Sequence, residues 1–443
     1  MGSGSFTNRR LKPRILFLAF LATGAVASLF DIFRAGLSAA TLAETRGIGA
    51  RAIGMGGAFT AVADDVSALY YNPAGLAQIH GHQGHFEYLI VSPRLYVKEG
   101  QGPSRLFLDK WTKAPMLGVV VDLSKAIKLS RQIVVGWNAY FPDNFKSVYK
   151  VRYGTFYDPF FPLYGDGHED QTICLWSDAA VEVFPWLLVG AGSTLQIHGQ
   201  YTGLEVAVDL KGRPVIDQSK ATMDVTTEVF PLAGILLRPT DRLRLGFTWR
   251  KDVQFIVAGG MQMQMKLVAA DGQALTLPIP LRIGAQGHYR PEQYAFGASY
   301  RLFEDLLVAA DLTYYDWRPY KDEAARELAV PMRAVVVPRV GLEYRASERV
   351  ALRAGYSFQE SPLRQQPAGY HTNLLDNDVH SVSCGIGYEW DLFGLLPTPA
   401  EWSACYQLQI LVPRMLDNVH AGGPPLRSSG QFHSVGLAIH FRL

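Results

Sequence analysis

Two adjacent carboxylates, Asp64 and Asp65, lie between a glycine cluster, Gly54, Gly56 and Gly57, and the tripeptide Asn72-Pro73-Ala74. Residues of these types suggest two chemistries: backbone amides cradling a phosphate, or carboxylates caging calcium. A phosphate loop of the GxGxxG kind needs a preceding strand and a third glycine, and Phe59 stands in that glycine's place. A calcium cage needs more oxygen ligands than one acidic pair supplies. The stretch therefore reads as structure. Ala63 to Tyr70 is expected to form one or two helical turns. The aspartates would cap the N-terminus, where the helix dipole favours negative charge, and Pro73 would stop the helix. The glycines permit tight, close-packed backbone.

His80, His82 and His85 bring imidazoles together as metal sites do, but no cysteine or carboxylate cluster completes a ligand set. They read as a polar connection. The run Asp166-Gly167-His168-Glu169-Asp170 and the triplet Tyr315-Asp316-Trp317 offer acids and a base without a nucleophile at a recognisable spacing. A Ser-His-acid constellation is not evident, so neither catalysis nor a cofactor or metal is expected. Forty-two basic residues against 40 acidic ones leave a net charge of +2, which gives no reason to propose nucleic acid as a partner.

The elements that position these residues begin with an export signal. Arg9, Arg10, Lys12 and Arg14 precede the apolar run Ile15–Phe30, and small residues follow. That is the make-up of a secretory signal peptide, expected over 1–40 with cleavage after Ala40 rather than Ala27; the alternative is a single N-terminal anchor helix. Residues 41–83 lack a strand period. From about residue 84 the chain alternates with period two. In 431–443, Val435, Leu437, Ile439, Phe441 and Leu443 share one face; in 241–250, Leu243, Leu245, Phe247 and Trp249 do, with Arg244 and Arg250 opposite. A soluble β-sandwich has such alternation too. Segments of about ten residues, apolar faces ending in Tyr or Trp, and polar faces carrying arginines favour a transmembrane barrel.

Tight turns at 184–186, 238–241, 303–305 and 345–348 alternate with long connections near 98–112, 142–169, 200–221, 258–279, 318–335, 359–378 and 414–430. Short periplasmic turns and long external loops are the asymmetry of outer-membrane barrels. Treating 281–302 as one long strand interrupted at Pro291 gives about fourteen strands, an even number as these barrels require. The period sends Cys384 toward lipid and Cys405 inward, so Cys174, Cys384 and Cys405 are all expected free. The whole reads as an all-β protein: an antiparallel transmembrane β-barrel over 84–443 with a small luminal plug, containing short helices, over 41–83.

The pattern Gly49–Ala77 (GARAIGMGGAFTAVADDVSALYYNPAGLA) resembles the N-terminal hatch of the FadL family of outer-membrane long-chain fatty-acid transporters, which also includes aromatic-hydrocarbon uptake proteins. Residues 238–250, 312–321, 352–362 and 373–390 resemble the family as well. The resemblance implies a fourteen-stranded barrel closed by the hatch, in the outer membrane of a Gram-negative bacterium. It implies passive uptake without ATP: capture in an outward hydrophobic groove, transfer to a luminal pocket, hatch movement, and lateral release into the membrane. Long-chain fatty acids are the expected ligand and outer-membrane lipid the surroundings; neutral hydrocarbons, or an assembly or secretion scaffold, are the alternatives. The gating residues carried over are Asn72, Pro73 and Ala74, with Asn72 expected to hydrogen-bond a kink or bulge in a nearby wall strand. Gly54, Gly56, Gly57, Asp64 and Asp65 are its structural supports. Inward arginines, Arg244, Arg250, Arg339 and Arg353, read either as attraction for a carboxylate head or as ordinary luminal polarity.

Overall fold

The period-two segments pair edge to edge until the last strand meets the first. The computed structural model describes residues 46–442 apart from 109–110, 127–130, 142–159, 163–172, 203–205, 210–213, 216–221, 269–273, 321–330, 367–372, 392–398 and 420–421. The expected signal peptide and the whole acidic run 166–170 lie outside these residues.

Gln83–Glu99 pairs on one side with Thr112–Asp122 and on the other with Leu426–Arg442, which closes an antiparallel barrel of fourteen strands. Between these seams run Ile133–Tyr140, Ile173–Phe184, Leu187–Thr202, Thr222–Leu237, Leu243–Arg250, Glu292–Arg301, Leu306–Asp316, Val335–Arg345, Val350–Gln359, Val379–Trp390 and Ala400–Leu416, each paired with its neighbours in chain order. A short strand, Arg105–Leu108, prolongs the ladder along Leu95–Val97. Closure leaves no sheet edge, so a wall of this kind satisfies its backbone without water.

Two expectations about the strands need correction. Residues 281–302 do break at Pro291, but only Glu292–Arg301 joins the wall. The preceding strand, Ala274–Arg290, pairs with Val253–Val268 in a separate sheet together with Val206–Asp209 and Pro214–Val215. The connection expected over 258–279 is thus largely a β-hairpin that prolongs two wall strands past the barrel. Proline fits at the junction because no ladder bond is needed there.

The outward face is apolar, with Phe296, Leu312, Val336, Val382 and Leu437 exposed. Exposed aromatics gather toward the tight-turn end: Phe184 and Trp186 stack at 5.3 Å, and exposed Trp402 lies 6.5 Å from half-buried Trp390. Rings with one polar edge suit a membrane–water boundary. As the period requires, Cys384 is exposed and Cys405 buried, and among the described residues neither forms a disulfide.

The lumen is filled by residues 46–82. Ile48, Ile53, Met55, Phe59, Leu69 and Leu76 are buried there and form one apolar core with inward wall residues. This hatch contains helical turns at Ala50–Gly54 and Ala68–Tyr71 and a 3-10 helix at Pro73–Gln78. The expected helix from Ala63 is a correction: only Ala68–Tyr71 is helical, and its N-cap, Ser67, makes no side-chain cap bond. Asp65 instead accepts from Ser67 N and Ser67 Oγ, a local turn that competes with the helix. Pro73 opens the following 3-10 helix, where its missing N–H costs nothing.

Candidate functional site

The hatch is fastened by charge on one side and by bare backbone on the other. Arg51 meets Glu343 through Nε and Nη2 at 2.7 and 2.8 Å, and its Nη1 pairs with Asp64. Asp64 also faces Arg244 at 3.4 Å. Glu343 in turn accepts from Arg353 at 2.8 Å, and Arg353 donates to Glu401 at 2.7 Å. Burial pulls the Arg51 guanidinium down, but Asp64 and Glu343 hold it well above the ordinary value. Burial likewise pushes the Asp65 carboxyl up, and His440, Arg51 and Ser67 together outweigh it and leave it low. Higher in the lumen, Asp311 Oδ2 accepts from Phe59 N and Thr60 N, both at 2.9 Å. Buried ion pairs of this kind fix position more than they add stability.

The opposite flank carries Asn72, fully buried. Its Nδ2 donates to Thr60 O at 2.9 Å within the hatch and to Ile235 O at 3.1 Å in the wall; its Oδ1 accepts from Ala74 N at 3.1 Å. The wall strand Thr222–Leu237 is paired without register shift on both sides of Ile235. The expected bulge partner is therefore a regular strand. What lets the motif approach is glycine: a Cβ on Gly234 would stand 2.0 Å from Asn72 Oδ1, and one on Gly190 would stand 2.3 Å from Ala74 N. The hatch's own glycines do the same on the charged side. Gly56 has φ +68° and leaves no room for a Cβ beside Tyr356 N, at 2.7 Å; Gly54 and Gly57 lie against Gly385 and Arg339.

Above the hatch lies a cavity of about 140 Å³. Arg250, Arg290 and Arg339 line it alongside Tyr315, Trp317 and Phe432. Arg250 Nη2 donates to Tyr70 O and the guanidinium lies 4.3 Å from the Tyr70 ring centroid. Arg339 donates to Thr313 Oγ1 at 2.7 Å and Tyr315 OH at 2.9 Å. Arg46, from the hatch, donates to Gln409 and packs 4.0 Å over Phe432. On the long-loop side a second apolar cluster, Tyr289, Trp317, Tyr320, Met332, Leu363 and Leu374, packs together at the cavity's rim. The arrangement is a cup of mixed lining, in which aromatic rings and fixed cations stand beside Gln293, Asp311, Gln407 and Gln409.

The expected site residues thus divide. Asn72, Pro73 and Ala74 sit together against Gly190 and Gly234, while Gly54, Gly56 and Gly57 lie against Gly385, Tyr356 and Arg339, and Asp64 and Asp65 pair with Arg51. His82 Nδ1 accepts from Asp122 N, and His85 lies inward against Glu87 and His440. Asp316 pairs with Arg318. Of the inward arginines, Arg244 and Arg353 are spent on ion pairs, and Arg250 and Arg339 face the cavity. The sequence reading missed Arg46 and Arg290 and weighed Trp317 only in a triplet without a nucleophile; alternation around Pro291 and the aromatic run 314–320 were the available signals.

A family model described as outer membrane protein transport protein (OMPP1/FadL/TodX) matches residues 32–393. Alkane uptake protein A of Marinobacter nauticus is 20% identical over 371 residues, 79% of this chain and 79% of the relative. A FadL homologue from Pseudomonas aeruginosa superposes with a TM-score of 0.57 at 15% identity, over 92% of this chain and all of its own. The toluene transporter TodX of P. putida superposes with a TM-score of 0.56 at 15% identity, over 90% and 99%. Likeness at that identity shows the fold.

Proposed function

Since the chain belongs to the OMPP1/FadL/TodX family of outer-membrane transport proteins, which carry hydrophobic compounds in Gram-negative bacteria, we propose that its ligands are long-chain fatty acids, taken up passively. The observation that carries the reading is the pairing of Arg250 and Arg339 with Tyr315, Trp317 and Phe432 around one cavity. A carboxylate is attracted by guanidinium groups and forms charge-assisted hydrogen bonds with them, while the aromatic rings take apolar chain out of water. Movement of the hatch about Asn72-Pro73-Ala74 then opens a sideways route through the wall. Lateral release spares the acyl chain about 0.8 kcal/mol per CH₂ that an aqueous pore would cost.

A second reading, neutral hydrocarbons, is favoured by the relatives described as an alkane uptake protein and a toluene transporter. Cavity size favours it as well: 140 Å³ is close to the roughly 150 Å³ that holds a benzene, so a long acyl chain enters only in part until the hatch shifts.

The two readings separate in cells lacking their own fatty-acid transporter. Labelled oleate and labelled hexadecane uptake would be measured for wild type, Asn72→Ala and Arg250→Gln/Arg339→Gln at equal outer-membrane levels. Oleate uptake lost in both variants, with hexadecane uptake lost only in Asn72→Ala, is the expected result. No oleate uptake by correctly inserted wild type removes the fatty-acid reading.

A further inference from the structure

We propose that the outer face of the first and last wall strands, at their long-loop ends, binds the phosphate groups of lipid A, the phosphorylated glycolipid of the outer leaflet. The cations are Arg94, Lys98 and Arg427. In the strand Gln83–Glu99, odd-numbered residues from His85 to Val97 are buried in the lumen, so Arg94, Tyr96 and Lys98 project from the opposite face. In Leu426–Arg442, Leu426 and Ser428 point in and Arg427 points out.

The register sets Lys98 directly opposite Arg427 and Arg94 directly opposite Gln431. Side chains in that relation have Cβ atoms about 5 Å apart, and like charges so placed destabilise the pair. Among the described residues, none of the three cations has an ion-pair partner, so the described residues offer no carboxylate that offsets the repulsion. An anion seated between Lys98 and Arg427 does.

Depth and neighbours select a lipid as the source of that anion. A tilted strand crosses the hydrocarbon in about ten residues. Counted from Phe86, which is outward and exposed near the tight-turn end, that length puts Arg94, Tyr96 and Lys98 at the outer headgroup boundary. Apolar groups flank the cations on the same outward face: Met415 stands opposite Arg427 and is 60% exposed, and Leu106 stands opposite Tyr96 and is 47% exposed. Cations flanked by exposed apolar side chains at this depth match a lipid phosphate at the boundary with its acyl chains, as basic residues at membrane surfaces do generally. The site is independent of what the lumen carries.

The test compares retention of labelled Kdo2-lipid A and of its phosphatase-treated form by the purified full-length protein in detergent. Wild type should retain the phosphorylated form at least tenfold better. R94Q and K98Q/R427Q should lose that preference, whereas K98R/R427K, which keeps the charge, and R349Q, in a tight turn at the opposite end, should keep it. Heat-modifiable gel migration checks that each variant is folded; if K98Q/R427Q does not fold, R94Q alone carries the comparison. Equal retention of both lipid forms by wild type overturns the proposal. So does displacement of the lipid by millimolar inorganic phosphate, which makes the site one for free phosphate.

Discussion

Asn72 does its work with both ends of one amide. Its Nδ2 is aimed at two carbonyl oxygens, Thr60 O and Ile235 O, while its Oδ1 holds Ala74 N. Asn72→Ala removes those three bonds at a net cost of about 3 kcal/mol, given roughly 1 kcal/mol for each. Asn72→Asp is expected to be worse although it is nearly isosteric, because it places a buried carboxylate against two carbonyls. Gel migration against temperature would rank them wild type, then alanine, then aspartate; an aspartate variant as heat-resistant as wild type refutes this account of the motif. The motif itself was legible in the sequence. Its wall partner was not, because Ile235 contributes a carbonyl and a carbonyl has no residue type. Gly190 and Gly234 mark the spot only once the register is known. The two aspartates misled for a related reason: a pair ahead of an apolar run reads as a cap, but Arg51 of the hatch and inward-facing Arg244 both pair with Asp64, and Ser67 takes Asp65.

At the scale of elements, alternation located the wall strands and their inward and outward faces, because period two is imposed wherever one side meets lipid. It did not tell where the wall stops. Val253–Val268 and Ala274–Arg290 continue the strands beyond the barrel, and nothing in a period marks the change of surroundings along one strand. The long-loop end also carries a polar knot that no motif announced. Ser361 Oγ donates to Asp376 Oδ2 at 2.6 Å, and Arg414 donates to Ser361 and to the carbonyls of Asp376, Leu363 and Arg364. Burial pushes the Asp376 carboxyl from 3.8 up to about 7; the Ser361 bond and Arg414 oppose the rise and Asp378 adds to it. The folded knot therefore binds a proton that the unfolded segment releases, and its stability falls as pH rises from 3.8 toward about 7. Amide exchange over 361–366 and 373–378, corrected for intrinsic rate, should show stronger protection at about pH 5 than at about pH 8. Asp376→Asn should flatten the difference. Equal protection at both values in wild type would show that this carboxyl titrates in its ordinary range.

For the molecule as a whole, the proposed passive uptake requires no energy source. Protein reconstituted alone into vesicles should speed equilibration of labelled oleate without nucleotide or ion gradient, and Asn72→Ala should reduce the rate at least several-fold. Dependence on an imposed gradient would contradict it. Fold and family were readable because they rest on features repeated along the chain, strand period and turn asymmetry, and on one contiguous hatch sequence. Ligand choice was not, since the cavity draws single residues from many strands, and several of those lie where the alternation breaks.

The glycine contacts between hatch and wall also constrain the order of manufacture. Hatch backbone lies against Gly190, Gly246, Gly297, Gly341 and Gly355, and the Asn72 and Pro73 side chains against Gly234, with no space for even a methyl group between. A finished barrel this tight has no doorway for its own plug, so the plug must be in place before the seam between Gln83–Glu99 and Leu426–Arg442 zips shut. Synthesis supplies it first, since the hatch precedes every wall strand. A hatch peptide added to a barrel refolded without residues 41–82 should remain outside, whereas the same peptide present during refolding should be captured. Entry into the preformed barrel would mean that the wall breathes far more than its register suggests.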